Sequence, residues 1–376
     1  NSVLCVGPSA DRSKLFFYQA STKLTYGVRV ASAEGTALSE VDVGSSYTTE
    51  GFQWAPDGKT VFHHARSEQG ESSSEWETGL FASSFSGDKP VQFTLQPTVS
   101  AKATLLSVSP DSKWLLFTPA QESGSGTADL NVIPLSMADH KASGPATVLC
   151  HMTPPARGSS LTSVSSAWSP DSTRVALACK ADGVNEQDIW VALTDGRAPI
   201  RLTQTAAIER ELKWSPDGKM LGFVSDDAGV GELRVIPSAG GAAVVIRKGT
   251  PKWGWSPDSR SLTIEEEGML VRQPLAGGKA EPIVNLQEFG IEGLKWHGWS
   301  PDGSRLAVAH WKRAAGAPRR SCGQLLFARV EGGRLQETGA VDMGPATNTW
   351  SHAWSPDGTH VAYECEGLAA VRPEGR

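Results

Sequence analysis

The pentapeptide Trp-Ser-Pro-Asp-Gly returns along the whole chain, and a recurrence of that kind admits very few folds. Copies or close variants begin at Trp54, Val108, Trp168, Trp214, Trp255, Trp299 and Trp354, with a worn copy at Ser9-Ala10-Asp11-Arg12-Ser13. Intervals between the successive aspartates, from Asp11 to Asp357, run from roughly 40 to 60 residues, which is room for four strands and their turns. The pentapeptide itself is turn chemistry. Pro presets φ near about −65°, Asp bonds the backbone two residues on, and Gly accepts φ > 0. A Trp just ahead of the turn is placed to fill the wedge between neighbouring sheets.

Each copy is followed by a short run of β-formers, as in Trp114-Leu115-Leu116-Phe117 or Met220-Leu221-Gly222-Phe223-Val224. A third run comes next (Asp188-Ile189-Trp190-Val191-Ala192-Leu193), then a Gly-containing turn and a fourth run (Pro199-Ile200-Arg201-Leu202-Thr203). One four-stranded meander cannot bury both of its faces, so such units must stack around an axis. The fold class expected is all-β, a β-propeller of four-stranded antiparallel blades. The literal count is eight blades, with a three-stranded last one ending in 368–372. Seven is the alternative, if the first and last units combine into one shared sheet. The repeat runs without a break, so 1–376 reads as a single propeller domain.

The stretch Leu-Lys-Trp-Ser-Pro-Asp-Gly-Lys-Met-Leu-Gly-Phe-Val-Ser at 212–225 resembles the PD40, or WD40-like, repeat of TolB-like propellers. It is similar also to the propeller halves of prolyl oligopeptidase-like peptidases. The matching residues are those that build blades, so the resemblance implies a fold and leaves function to other positions. It implies a periplasmic or secreted protein, with a cytoplasmic one as the alternative.

Composition removes several classes. A net charge of −6 argues against a nucleic-acid binder, which needs clustered Lys and Arg. The basic residues Lys312, Arg313, Arg319 and Arg320 read as a solvated loop, as do the polar stretches 67–75 and 121–127. No run approaches the roughly 18 apolar residues that span a membrane. Five cysteines without a Cys-x-x-Cys argue against zinc. Cys5 and Cys365 are expected in blades brought side by side by ring closure, as a disulfide or as buried thiols.

Catalytic machinery is hard to place. A peptidase would need Gly-x-Ser-x-Gly on a strand-to-helix turn, and Gly254-Trp255-Ser256 and Gly298-Trp299-Ser300 are repeat turns that lack the last Gly. No catalytic residue is assigned. His297 and His352 share one register, two residues before the Trp of consecutive units, and imidazole suits transition metals. The resembled propellers include oligogalacturonate-type lyases with inner-strand His ligands. A carbohydrate-active enzyme with a divalent metal in the central channel is therefore one alternative, and the isolated propeller of a peptidase another; core histidines are the structural reading.

The main expectation is a rigid, non-catalytic platform that needs no cofactor and binds a protein partner, or a carbohydrate, at one rim. Loops leading into the first strands vary while the framework repeats. They carry Glu50, Arg210, Lys252, Trp296 and Trp350, the aromatic-plus-charged mixture favoured at binding hot spots.

Overall fold

The computed structural model describes residues 3–8, 15–19, 25–32, 34, 37–41, 47–68, 76–84, 91–95, 99, 103–119, 128–152, 165–179, 188–227, 229–291, 293–312, 322–331, 334–345 and 352–367. Strand β1 (Val3–Pro8) pairs with β2 (Leu15–Gln19), and β3 (Thr25–Ser32) with β4 (Ala37–Val41). A four-stranded blade follows: β5 (Tyr47–Trp54), β6 (Thr60–Glu68), β7 (Trp76–Ser84) and β8 (Val91–Gln92). Next come β9 (Thr104–Val108), β10 (Trp114–Thr118), β11 (Ala128–Ser136), β12 (Lys141–Ala142) and β13 (Thr147–Met152), a five-stranded sheet because β11 pairs with both β12 and β13.

Three regular blades succeed it. They are β14 (Ser165–Trp168), β15 (Arg174–Cys179), β16 (Asp188–Leu193) and β17 (Ile200–Arg201); β18 (Ile208–Trp214), β19 (Met220–Asp227), β20 (Val230–Pro237) and β21 (Val244–Lys248); and β22 (Trp253–Trp255), β23 (Ser261–Glu266), β24 (Met269–Pro274) and β25 (Glu281–Asn285). A single-turn 3-10 helix at Leu286–Phe289 leads into β26 (Leu294–Trp299), β27 (Arg305–Lys312), β28 (Cys322–Glu331) and β29 (Arg334–Pro345). Finally β30 (His352–Trp354) and β31 (His360–Gly367) join β3 and β4 in the order β30-β31-β3-β4.

This corrects the blade count. Among the described residues six sheets have the four-stranded blade form, not seven or eight, because β11 recruits a fifth strand and β1 and β2 pair only with each other. The first unit is likewise not one complete blade: its third and fourth strands complete the last unit instead. Eight consecutive residues of β3 pair with β31, from Thr25 opposite Gly367 to Ser32 opposite His360. Long antiparallel pairing thus ties the start of the chain to its end. The expected last strand at 368–372 lies outside the described residues, as do 69–75 and 120–127 in the polar loops and 313–321 in the basic one. Cys365 sits opposite Gly27 in the shared sheet and Cys5 opposite Tyr18 in the β1–β2 pair, so the two belong to different sheets. No helix among the described residues is long and apolar enough to cross a membrane.

The core lies between sheets rather than within them. One cluster joins Ala176, Ile189 and Val191 to Leu212, Trp214, Leu221 and Phe223 of the next blade. Another joins Val224, Leu233 and Val235 to Trp253, Leu262, Ile264 and Val271. Burying a side chain of this size contributes roughly 1.5–3 kcal/mol, so the blades are held chiefly by the seams. The motif tryptophans pin those seams with a polar contact. Indole Nε1 of Trp54 donates to the Ala353 carbonyl at 3.0 Å, Trp214 to Ala167 at 2.9 Å, Trp255 to Lys213 at 2.9 Å and Trp354 to Gly298 at 2.9 Å. In each pair the acceptor directly precedes the motif of the neighbouring unit. Trp54 with Ala353 closes the ring.

The turns gather at one face. In six copies the Ser hydroxyl donates to the Asp carboxylate at 2.5–2.7 Å, and that oxygen accepts the backbone N–H two residues on at 2.9–3.1 Å. These donors, led by Ser300, hold the Asp302 carboxyl down to about 2. The last residue of the motif has positive φ throughout, 64–72° where it is Gly58, Gly218, Gly303 or Gly358 and 60–62° where it is Ser112, Ser172 or Ser259. Ser172 and Ser259 use their hydroxyls to accept the Asp111 and Asp217 N–H of the preceding turn, each at 3.0 Å.

Candidate functional site

The opposite, or loop, face is where the units differ. Strand β18 begins there at Ile208, β19 ends there at Asp227, and β20 begins there at Val230, with Asp227 opposite Val230 and Asp226 opposite Ile208. Ile208 and Val230 are 58% and 61% exposed, unusual for β-branched side chains. Between them lies a charged group. Arg210 donates to Glu211 at 3.1 Å and to Asp226 at 3.4 Å, and the strand bulges between Arg210 and Lys213, with Glu211 at φ 57°. Lys252, just ahead of β22, is exposed on the same face. One unit further on, Glu265, Gly268, Leu286, Gln287, Gly290, Ile291 and Leu294 line an open groove of about 490 Å³.

Beneath Arg210 the neighbouring residue turns inward. Glu209 is fully buried, its two carboxylate oxygens accepting from Thr203 at 2.6 Å and Thr205 at 3.2 Å. Asp188, also fully buried, accepts from Arg201 and from the Thr205 N–H at 3.1 Å. Burial, with the Asp188 charge adding to it, pushes Glu209 up to about 7 against the pull of the two threonines. Two carboxylates with one guanidinium form a polar lock between the β14–β17 blade and the first strand of the next. Glu209 reads from the sequence as one more rim charge; alternation with the bulge turns it into the seam. The Arg-Leu-Thr run at 201–203 was the available signal.

Nearer the axis, Lys213 donates to the Trp253 carbonyl at 2.7 Å, its ammonium 4.4 Å from the Trp253 ring centroid. Burial, helped by Lys252, brings its amine down to about 8. Register singles out this lysine: the corresponding position holds Gln53, Ser107, Ala167, Gly254, Gly298 or Ala353 in other units. The rings of Trp253 and Trp296 lie over strand glycines, where a Cβ on Gly222 or Gly298 would come within 2.6 or 2.5 Å of them. Trp296 is half-buried and stacks on His352 with centroids 5.0 Å apart. Of the other rim residues, Glu50 lies on β5 at the bulge between Thr49 and Phe52, and Trp350 lies outside the described residues.

The two histidines occupy different seams. His297 is buried, with Nε2 3.2 Å from the Thr263 carbonyl of the preceding blade, while His352 lies between Trp296 and Tyr363 one seam further on. Burial brings both down to about 4, with Lys213 adding to the effect at His297. They are neutral rings packed between blades. The two imidazoles stand in separate seams and do not converge on one point, so this pair does not fit a metal centre, and no group of three His, Cys, Asp or Glu that could hold a metal occurs among the described residues.

Residues 157–281 match the family model described as PD40, TolB beta propeller domain. Over that stretch the chain carries the TolB-type propeller repeat. A putative TolB from Agrobacterium tumefaciens superposes with a TM-score of 0.51 at 16% identity, covering 92% of this chain and 99% of that one. An oligogalacturonate lyase from Vibrio parahaemolyticus gives 0.54 at 10% identity, covering 98% and 97%, and such a lyase is known in complex with manganese. Likeness at these identities is a likeness of fold. In sequence the chain is 27% identical over 212 residues to an uncharacterised peptidase, YuxL, of Bacillus subtilis, a match covering 52% of this chain and 28% of the peptidase. The chain spans about a third or less of the curated relatives it matches.

Proposed function

We propose that this TolB-like propeller is a rigid, non-catalytic platform that binds a protein partner at its loop face. The observation that carries the reading is the juxtaposition of exposed Ile208 and Val230 with the Arg210, Glu211 and Asp226 charges, an apolar centre with a polar rim. Lys252 and the adjoining groove extend that surface, and Glu50, Trp296 and Trp350 are its further contacts by position in their units. The Ser and Asp groups of six of the turns are taken up by building those turns, which leaves the loop face to vary. The test compares Ile208→Asp, Val230→Asp, Arg210→Ala and Lys252→Ala with the wild type. Circular dichroism and melting should be unchanged while cross-linking of a partner in cell extract, identified by mass spectrometry, is lost. Unchanged cross-linking in all four would defeat the proposal.

A second reading is favoured by the match to the peptidase YuxL: the propeller as the non-catalytic part of a peptidase-like protein. Its partner would then be a catalytic domain or the peptide delivered to it. Peptide hydrolysis by the 376-residue chain alone would contradict both readings.

A further inference from the structure

We propose that Cys150 and Cys179 form an inter-blade disulfide when the protein folds under oxidising conditions, a covalent staple between the five-stranded β9–β13 sheet and the β14–β17 blade. Cys150 lies on β13 opposite Leu130, and Cys179 ends β15 opposite Asp188. They are 6% and 4% exposed, and their sulfurs stand 3.9 Å apart across the seam. The apolar cluster around them, with Leu116, Leu130, Val132, Leu149, Val175 and Leu177, draws on both sheets. A disulfide needs about 2.05 Å between sulfurs, so from 3.9 Å the two must approach by about 1.9 Å.

The seam is one where a staple has purpose. The sheet carrying Cys150 departs from the regular blade form, and the cross-link would join residues 29 apart in sequence. Closing that loop removes freedom from the unfolded chain. Contact with Cys150, together with burial, raises the Cys179 thiol well above its ordinary range. The folded, reduced Cys179 is therefore a poor nucleophile, and oxidation belongs to the folding chain. The chemistry is thiol–disulfide exchange with a small external disulfide such as oxidised glutathione. The Cys150 thiolate attacks it and releases one glutathione thiolate. The Cys179 thiolate then attacks the Cys150 sulfur of the mixed disulfide and releases the second. Two protein thiols are oxidised, their two protons pass to the released thiolates, and one external disulfide is reduced to two thiols.

The test refolds the full chain from denaturant across a series of reduced-to-oxidised glutathione ratios, quenches with an alkylating agent in denaturant and maps the peptides. Expected are a Cys150–Cys179 linked peptide and a fall from five alkylatable thiols to three. The urea midpoint should rise, the rise should vanish with dithiothreitol, and Cys150→Val and Cys179→Val should lack it. A chain carrying Ser at positions 5, 322 and 365 should give the same linked peptide. Two alkylatable thiols at 150 and 179 in the most oxidising buffer, glutathione left on either one, or either one linked to a third cysteine would each overturn the proposal. Failure of the partner-binding reading would leave these outcomes untouched.

Discussion

The turn face and the loop face are built from the same strands but obey different rules. At the turn face the same Ser, Asp and Gly roles recur, and the Ser and Asp groups find partners within a few residues. At the loop face the described units differ: β18 and β20 begin with exposed apolar residues, β25 runs on into a helical turn, and a carboxylate is buried under the rim. The lesson is that repetition marks what holds the ring, and function is to be sought where repetition fails.

The largest effect expected lies in the ring. Trp54→Ala removes a 1%-exposed indole and the bond that links the second unit to the last, and large-to-small changes of this kind cost roughly 3–5 kcal/mol. Chemical denaturation would show it; a loss under about 1 kcal/mol would mean the closing seam tolerates a gap.

The next effect separates the faces by pH. Glu209 is raised when folded, so it favours folding at low pH and that contribution is lost as pH rises from the unfolded value near 4.5 through about 7. His297 and His352 act in the opposite sense, since both are lowered to about 4 and their support is lost as pH falls from 6.5 towards 4. Glu209→Gln should therefore gain on the wild type as pH climbs from 5 to 8, by on the order of 1–3 kcal/mol. A gap independent of pH would show that Glu209 titrates as an ordinary surface carboxylate.

A smaller effect tests the turns against each other. Ser112 has φ 62° and its buried hydroxyl finds no hydrogen-bond partner among the described residues, whereas Ser172 and Ser259 accept from the turn before. Ser112→Gly should stabilise by about 1 kcal/mol through relief of the left-handed conformation. Ser172→Gly and Ser259→Gly give up a hydrogen bond for the same relief and should change little. Equal effects in all three would mean that the cross-turn bonds contribute nothing. Smallest of all is Arg210→Ala, an exposed pair whose loss should shift stability by less than about 0.5 kcal/mol. A larger loss would move Arg210 from the binding rim into the framework.

What was legible follows from range. The pentapeptide acts over five residues, so its turn, the hairpin across it and the packing role of its Trp could be read directly. The pairing of β3 with β31 joins residues more than three hundred positions apart, and nothing local distinguishes a strand that completes its own blade from one that completes another. Candidate sites divide in the same way. Lys252 is exposed and Arg210 half-buried near the strand ends that the loops enter, positions that strand direction alone provides. Glu209 and the two histidines were not separable from rim or metal residues by position, because a bulge of one residue decides which side of a strand is buried.

The sequence alone therefore determined the repeating hairpin, the stacking of blades around an axis and the structural role of the motif, all consequences of short-range turn geometry and alternation. Only the tertiary structure decided how the ring closes, that His297 and His352 lie in different seams, that Glu209 is locked beneath the rim, and that Cys150 meets Cys179. Each of these depends on which faces of two separate sheets come together. Packing between sheets is a long-range free-energy balance that no single repeat encodes.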